Sequence, residues 1–206
     1  MAVTIENLVT SGTFSLDGGT WDVDNNVWIV GNDEECVIID APHDAAAIIN
    51  QVRNRKVKAI LLTHAHNDHI GAAREVADAL GAPILLNAED LVLWEQVYPD
   101  AKPDAYHSDG EVFEVGGATL KAIHTPGHSP GSTCFYLESE GTVFTGDTLF
   151  NGGPGATGRS YSDYPTILTS IRERLLTLPA DTLVRTGHGD NTTIDAEQET
   201  LAKVPQ

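Results

Sequence analysis

The chain has few of the residues that would indicate a disulfide scaffold or an anionic partner. It contains two cysteines in 206 residues, and Cys36 and Cys134 each lie in an apolar, strand-like run. Buried, reduced thiols are therefore expected instead of a disulfide, which fits a cytoplasmic protein. Lysine and arginine together number 12 against 30 acidic residues, which gives a formal net charge of −18. This balance argues against a nucleic-acid backbone or an anionic membrane as the partner.

Long hydrophobic runs are also missing. No apolar stretch approaches the roughly 18 residues that span a bilayer. Residues 1–6 lack the basic and apolar regions of a signal peptide. Hydrophobic residues nevertheless make up 41% of the chain, and 206 residues are enough for a sizeable core. We therefore expect one globular domain over residues 1–206, and the sequence leaves open whether it forms a homo-oligomer.

The most informative stretch is His64-Ala65-His66-Asn67-Asp68-His69, in which four of six residues are metal-ligand types. Residues 57–62 before it form a short apolar run that predicts a buried strand. The apolar residues after it recur at helical spacing: Ile70, Ala73, Val76, Ala77 and Leu80. The motif is thus expected at the carboxyl end of a strand, where open α/β sheets bind ligands. His64 and His66 can face one ion, and Asp68 and His69 a second.

The remaining pattern predicts two similar halves, each a sheet covered by helices. Three strands are expected within residues 2–40, with Asn25-Asn26 in a turn-like stretch and with Trp21 and Trp28 in the core or on a sheet face. Helices are expected at 44–55, 89–97 and 165–178, and further strands at 83–86, 112–115, 117–123, 134–137, 142–145 and 182–185. Residues 98–111 are predicted to form a loop that exposes His107.

Further ligand types follow the predicted strands. His128 lies in a Pro/Gly-rich loop, Asp147 comes just past a strand, and His188 stands between two glycines. With the motif, these make seven residues, which suit two ions with Asp147 as a bridging carboxylate. Asp40 ends a buried apolar strand, where an unpaired carboxylate is costly, and we expect it to orient a metal-bound histidine through a hydrogen bond.

These motifs together resemble the metallo-β-lactamase superfamily. Residues 125–131 and 145–150 also resemble glyoxalase II (hydroxyacylglutathione hydrolase) and its shorter relatives. The resemblance implies an α/β (α+β) fold, an αββα four-layer sandwich of two mixed sheets flanked by helices. It implies one metal on His64, His66, His128 and Asp147, and a second on Asp68, His69, His188 and the same Asp147. Asp40 matches an acidic position of the family that supports the ligands. Zinc is expected at both sites, with iron as the alternative.

The chain departs from glyoxalase II in two places. Only 18 residues follow His188, too few for the C-terminal glutathione-binding helical domain. The stretch 152–159 is longer than the family's Gly-x-Gly-Arg loop. Arg159 and Tyr161, in and after that stretch, are candidates for holding the anionic end of a substrate, or are ordinary surface residues. The resemblance therefore leaves the thiol carrier open.

The function expected from these residues is a metal-dependent hydrolase, a thioesterase that acts on a small acyl-thiol conjugate. A metal-bridging hydroxide would attack the acyl carbonyl, with Asp68 accepting a hydrogen bond from it. Three alternatives stay open at this point. The first is a persulfide dioxygenase of the same superfamily, with one iron on His64, His128 and Asp147. The second is a lactonase or other ester hydrolase on the same metals, and the third is a non-enzymatic metal-binding module. Metal content and oxygen uptake would separate the first from a two-zinc hydrolase.

Overall fold

The structure, a computed structural model, describes residues 3–203 and contains two six-stranded sheets. The elements of the first half, in chain order, are β1 (Thr4–Leu16), β2 (Gly19–Gly31), β3 (Glu35–Ile39), α1 (Ala45–Val52), β4 (Lys56–Leu61), α2 (Asn67–Ile70), α3 (Ala73–Leu80), β5 (Ile84–Asn87), a 3₁₀ turn (Ala88–Asp90), α4 (Leu91–Val97) and β6 (Ala105–His107). The strands form one sheet in the order β1-β2-β3-β4-β5-β6. The first three are antiparallel and β3 to β6 run parallel, so this sheet is mixed.

The second half builds the other sheet. Its elements are β7 (Val112–Val115), β8 (Ala118–His124), β9 (Thr133–Leu137), β10 (Thr142–Gly146), the short β11 (Leu149–Phe150) and β12 (Gly153–Pro154), α5 (Tyr164–Ser170) with a π turn (Ile171–Leu175), β13 (Leu183–Thr186), β14 (Thr192–Thr193) and α6 (Ile194–Leu201). The sheet order is β14-β13-β10-β9-β8-β7. Because β10 and β13 are parallel and the other pairs antiparallel, this sheet is mixed too.

Three buried apolar clusters define four layers. The first lies between the first sheet and helices α1 to α4 and includes Ile29, Ile60 and Trp94. The second lies between the two sheets, where Leu61 meets Phe144 and its neighbours. The third joins the second sheet to α5 and α6. The arrangement is the αββα sandwich of the α/β class that the sequence implied. In residues 3–203 no helix is long and apolar enough to cross a membrane.

Local differences from the expected elements have physical causes. Residues 98–111 are not a continuous loop, because β6 adds to the edge of the first sheet and buries His107 to 2% exposure. The expectation that His107 is exposed was wrong: its Nε2–H donates to the Leu62 carbonyl. The helix after the motif is interrupted between α2 and α3. Asn25 and Asn26 continue β2 without a turn, since the antiparallel ladder with β1 runs through them.

Candidate metal centre

The ligand-type residues of both halves meet at one edge of the sandwich. His64 and His66 follow β4, and Asp68 and His69 belong to α2. The second half supplies His128 after β8, Asp147 after β10 and His188 after β13. Parallel strands β4, β10 and β13 point their carboxyl ends at this edge, so short turns are enough to bring the side chains together. All seven predicted metal residues lie in this cluster.

The first group of three is made of histidines alone. His64 Nε2 and His128 Nε2 each lie 3.0 Å from His66 Nδ1. All three side chains are buried. Two imidazole nitrogens 3.0 Å apart form a hydrogen bond only if one of them carries a proton that points at the other. Ligands about 2.0–2.1 Å from a tetrahedral ion are separated by about 3.4 Å, close to what is found here. We call His64, His66 and His128 the first triad.

The second group combines one carboxylate with two imidazoles. His188 Nε2 lies 3.2 Å from His69 Nε2 and 3.3 Å from Asp68 Oδ2. His69 Nε2 lies 3.6 Å from the same Asp68 oxygen. These distances again match the edges of a small coordination polyhedron. We call Asp68, His69 and His188 the second triad.

Asp147 stands between the triads. Its Oδ1 lies 3.2 Å from His69 Nε2, and its Oδ2 lies 3.3 Å from His188 Nε2 and 3.6 Å from His128 Nε2. One carboxylate therefore faces ligands of both groups. Gly187 makes this approach sterically feasible, because a Cβ there would lie 2.3 Å from Asp147 Oδ1.

Hydrogen bonds fix the tautomers of the histidines. His128 and His188 donate from Nδ1 to the carbonyls of Ala156 (2.8 Å) and Asp24 (2.7 Å). His69 donates from Nδ1 to Asp40 Oδ2 over 2.8 Å. Because carbonyl and carboxylate oxygens only accept, each of these Nδ1 atoms carries a proton, and Nε2 is the nitrogen that each ring turns towards the centre. Asp40 is 2% exposed and accepts from His69, and its role in orienting a metal-bound histidine stays a prediction.

The protonation of the two triads differs. Burial, together with neighbouring imidazoles, lowers the pKa of His66 to about 3 and that of His64 well below its usual value. Burial is the largest single influence on His69 and His188 and lowers their pKa, but the neighbouring carboxylates, Asp147 foremost, together outweigh it. The pKa of His69 is raised well above its usual value and that of His188 to about 10. Near neutral pH the metal-free His64 and His66 are uncharged, whereas His69 and His188 of the second triad hold protons that a metal must displace.

These residues fit a pair of divalent ions. Asp68 Oδ1 and Asp147 Oδ1 are buried, and within residues 3–203 neither finds a hydrogen-bond partner. Buried polar atoms are normally paired, so such a concentration of unsatisfied atoms calls for a bound group. The donor set of imidazole nitrogens and carboxylate oxygens is the one that zinc and iron accept in proteins.

A cavity of about 430 Å³ opens directly onto the centre. Its far wall is formed by Phe14 on β1, Trp21 on β2 and Arg159 from the loop before α5. The Arg159 guanidinium lies 3.8 Å from the centre of the Trp21 ring and 5.6 Å from that of Phe14. Trp21, expected in the core or on a sheet face, is 40% exposed on β2 and lines the cavity. Tyr161 lies outside this lining and is 47% exposed.

A family model described as the metallo-beta-lactamase superfamily matches residues 20–188, which include the whole centre. The chain belongs to the metallo-beta-lactamase superfamily. Its broad class is that of a metallo-hydrolase.

Relatives within the superfamily align along most of their length. The chain is 37% identical over 183 residues to the probable metallo-hydrolase YqgX of Bacillus subtilis, covering 82% of this chain and 86% of that protein. It is 34% identical over 182 residues to hydroxyacylglutathione hydrolase GloC of Haemophilus influenzae, covering 81% and 86%. Among solved structures, the BLEG-1 B3 metallo-beta-lactamase superposes with a TM-score of 0.78 at 33% identity, covering 92% of this chain and 97% of that one. TTHA1623 in a di-iron-bound form gives 0.75 at 31% identity, covering 93% and 98%.

Some residues beside this superfamily site were not anticipated from the sequence. Asn25 is fully buried, and its Nδ2 lies 3.2 to 3.3 Å from Asp68 Oδ2, His69 Nε2 and His188 Nε2. Its Oδ1 lies 2.8 Å from His43 Nε2, which places His43 beside the site. The only signal for Asn25 was a polar residue just before the apolar end of β2, and Asn-Asn pairs more often mark turns.

Proposed function

We propose that the protein is a dinuclear thioesterase of glyoxalase II type, which hydrolyses an acyl-thiol conjugate. The observation that carries the proposal is the position of Asp147, whose carboxylate faces His128 of the first triad and both histidines of the second. A shared carboxylate is what two neighbouring ions require, and a single-ion site would leave one complete triad without a role. Zinc is our first choice for both ions, with iron as the alternative that the di-iron form of TTHA1623 supports.

The proposed centre has two metal sites. His64, His66, His128 and Asp147 would hold one ion, and Asp68, His69, His188 and Asp147 the other. Two bound ions would lower the pKa of a water molecule towards neutrality and polarise the acyl carbonyl. Asp68 contributes more than a ligand atom, because its buried Oδ1 has no partner among residues 3–203. That oxygen can accept a hydrogen bond from the attacking water and orient it.

Asp40 would orient a ligand of the second site through hydrogen bonds. It receives the Nδ1–H of His69, and its other oxygen receives the backbone N–H of Thr63 over 2.8 Å. Its carboxylate thus fixes both the His69 ring and the strand end that precedes His64. The chain needs no serine or cysteine nucleophile for this chemistry, and Ser129 and Ser132 are engaged with each other over 2.8 Å.

The cavity supports a small acyl-thiol as the substrate. A thiolate leaves readily, so little acid assistance is needed at the far side of the scissile bond. Arg159, held on Trp21, can receive a carboxylate at the outer end of the substrate. GloC of Haemophilus influenzae carries a matching activity in its name, which makes a glutathione conjugate the first compound to test. For Tyr161, a substrate contact remains only a prediction, since the residue lies outside the cavity lining.

We also propose that the protein works in the cytoplasm on small molecules and not on nucleic acid. Cys36 and Cys134 are free and buried, as expected for a reducing compartment. The net charge of −18 opposes the approach of a polyanion to the acidic surface.

The deciding experiment combines elemental analysis of the purified protein with hydrolysis of S-lactoylglutathione. About two zinc or iron ions per chain, with turnover that Asp147→Asn abolishes and Glu197→Gln retains, is the expected result. Glu197 is a suitable control because it is a buried carboxylate held by Gly152 and Thr192, away from both triads. Two ions without turnover would move the search to other acyl-thiols. One iron with oxygen uptake on a persulfide, or turnover of a cephalosporin instead of any thioester, would overturn the proposal.

A further inference from the structure

A second buried acid, Asp90, touches the loops that carry the first triad. Its Oδ2 accepts the backbone N–H of Ala65 over 2.9 Å and the hydroxyl of Ser129 over 2.8 Å. Its Oδ1 accepts the backbone N–H of Gly131 over 2.5 Å. Ala65 lies between His64 and His66, and Ser129 follows His128. One carboxylate therefore joins the two chain segments that must meet for the three imidazoles to converge.

Asp90 does not serve the helix on which it stands. It occupies the position before α4, where aspartate commonly accepts a hydrogen bond from the first turn, but its side chain makes no such bond. The carboxylate is instead turned inward and is fully buried. A buried carboxylate is costly unless donors surround it, and here all three donors come from the triad loops.

The loop after His128 is shaped for this contact. Gly131 packs so closely that a Cβ there would lie 2.9 Å from the Asp90 Cβ and Cγ atoms. Ser129 is held in turn by Ser132, whose hydroxyl lies 2.8 Å away. The loop therefore approaches Asp90 closely at Gly131, which has no side chain, and binds it at Ser129, whose hydroxyl is held in place by Ser132.

We propose that Asp90 is the positioning residue of the first triad, as Asp40 is of the second. Asp40 fixes a ligand ring directly, through His69 Nδ1. Asp90 acts one step further away, by setting the distance between the backbone that carries His64 and His66 and the backbone that carries His128. The inference rests on the proposed two-metal centre, and its specific content is that Asp90 controls the affinity of the first metal more than that of the second.

An isosteric substitution isolates this role. Asparagine has the shape of aspartate, but one of its two terminal groups is an NH₂ donor. If the NH₂ group faced Gly131, two donors would face each other there, the NH₂ and the Gly131 backbone N–H. If it faced Ala65, the NH₂ would face the Ala65 backbone N–H in the same way. In either orientation Asp90→Asn leaves a buried donor without an acceptor and pushes the two loops apart.

The test uses Co²⁺ as the probe, with the full chain. Asp90→Asn is placed in two backgrounds, His188→Ala, which keeps the first triad whole, and His128→Ala, which keeps the second. Co²⁺ affinity is measured by chelator competition, and the visible absorption of bound Co²⁺ reports how the ligands are arranged. Glu197→Gln, which alters a buried carboxylate elsewhere, is the matched control. Thermal unfolding of the metal-free proteins monitors the fold.

We expect Asp90→Asn to lower Co²⁺ affinity about tenfold or more in the His188→Ala background and to change its spectrum. In the His128→Ala background the loss should be at most about threefold, and Glu197→Gln should change neither. Equal losses in both backgrounds, or none in the first, would overturn the role of Asp90 while leaving the two-metal proposal intact. An unmodified protein that binds no Co²⁺, zinc or iron would overturn both.

A gentler variant covers the case in which Asp90→Asn does not fold. Ser129→Ala removes one of the three hydrogen bonds and leaves the two backbone bonds in place. It should lower Co²⁺ affinity about threefold in the His188→Ala background alone. Ser129→Thr, which returns the hydroxyl, should restore the Co²⁺ affinity. If Ser129→Ala binds Co²⁺ as tightly as the His188→Ala background does, that result counts against the proposal.

Discussion

The guanidinium of Arg159 lies over the Trp21 side chain, 3.8 Å from the centre of its ring, in the wall of the cavity. The stack restrains a side chain that would otherwise move freely on an exposed loop. The loop itself is tied down beside the stack, because the backbone N–H of Ser160 donates to Asp17 in the β1–β2 turn over 2.9 Å. A cation that is held in place can select for charge at the outer end of a substrate.

Arg159→Lys tests that selection. Lysine keeps the charge but loses both the planar stack and the paired donors, so KM for S-lactoylglutathione should rise about tenfold while kcat changes little. Steady-state kinetics would show the split, and a glutathione ester without free carboxylates should be insensitive to the change. Arg185→Lys is the matched control. The Arg185 guanidinium lies 4.9 Å from the centre of the Trp28 ring, and neither residue lines the cavity. A KM unchanged by Arg159→Lys would remove Arg159 from the binding site.

Asp40→Asn should affect the second triad through a tautomer. Asp40 accepts from Thr63 N–H, Thr63 Oγ1–H and His69 Nδ1–H. With an amide NH₂ facing His69, the ring would place its proton on Nε2, which is the atom that faces the metal. Metal affinity at the second triad should fall about 10- to 100-fold. Chelator competition measures the loss, and Asp104→Asn, which alters an acceptor for Ile84 N–H, should leave affinity unchanged.

The two triads should respond differently to pH. The pKa of His188 is raised to about 10, so metal binding at the second triad must displace a proton at any pH below that value. If one proton is released per metal ion, the metal affinity of the second triad should rise about tenfold for each pH unit between roughly pH 7 and pH 9. The pKa of His66 is lowered to about 3, so the first triad has no such proton to lose on His66 in this range. Calorimetry in buffers of different ionisation enthalpy counts the protons, and equal release at both sites would contradict the assignment.

Gly187→Ala should damage the centre by steric contact. A methyl group at this position would lie 2.3 Å from Asp147 Oδ1 and 2.9 Å from His69 Cε1. The carboxylate would have to move away from both triads, so we expect bound metal to fall below one ion per chain and kcat/KM to drop about 100-fold or more. Elemental analysis and steady-state assays measure the two effects. Gly110→Ala is the control for the added methyl group, because a Cβ there meets nothing within 4 Å. Its φ of 78° makes it the harsher change for the backbone, since Gly187 has no positive φ, so any extra loss in Gly187→Ala comes from the crowding. Full activity in Gly187→Ala would refute the crowding argument.

The predicted metal residues could be found from the sequence because their signals are local. His64 to His69 are close in the chain, and Asp147 and His188 each follow an apolar strand, so strand ends alone brought them to one edge of the sandwich. The same rule gave Asp40. The alternation of strand and helix patterns predicted two similar halves, each a sheet covered by helices, and the resemblance to the superfamily implied the αββα sandwich.

The residues that the sequence did not reveal depend on contacts between distant segments. Asp90 has the pattern of a helix-start acid, and only the folded chain turns it towards Ala65 and Gly131. Asn25 lies in a run of polar residues that is typical of a turn, yet pairing with β1 extends the strand through it. His107 was assigned to a loop because a three-residue edge strand carries too little periodicity to detect.

The cavity wall and the metal ligands come from different parts of the chain. Phe14 and Trp21 belong to the β1–β2 hairpin, and Arg159 to the loop that Asp17 of the same hairpin holds. None of these residues supplies a ligand to either triad. Substitutions at the hairpin can therefore change which substrate binds while every ligand residue of both triads is kept. A library randomised at Phe14, Trp21 and Arg159 is the natural starting point for directing this chain towards new thiol carriers.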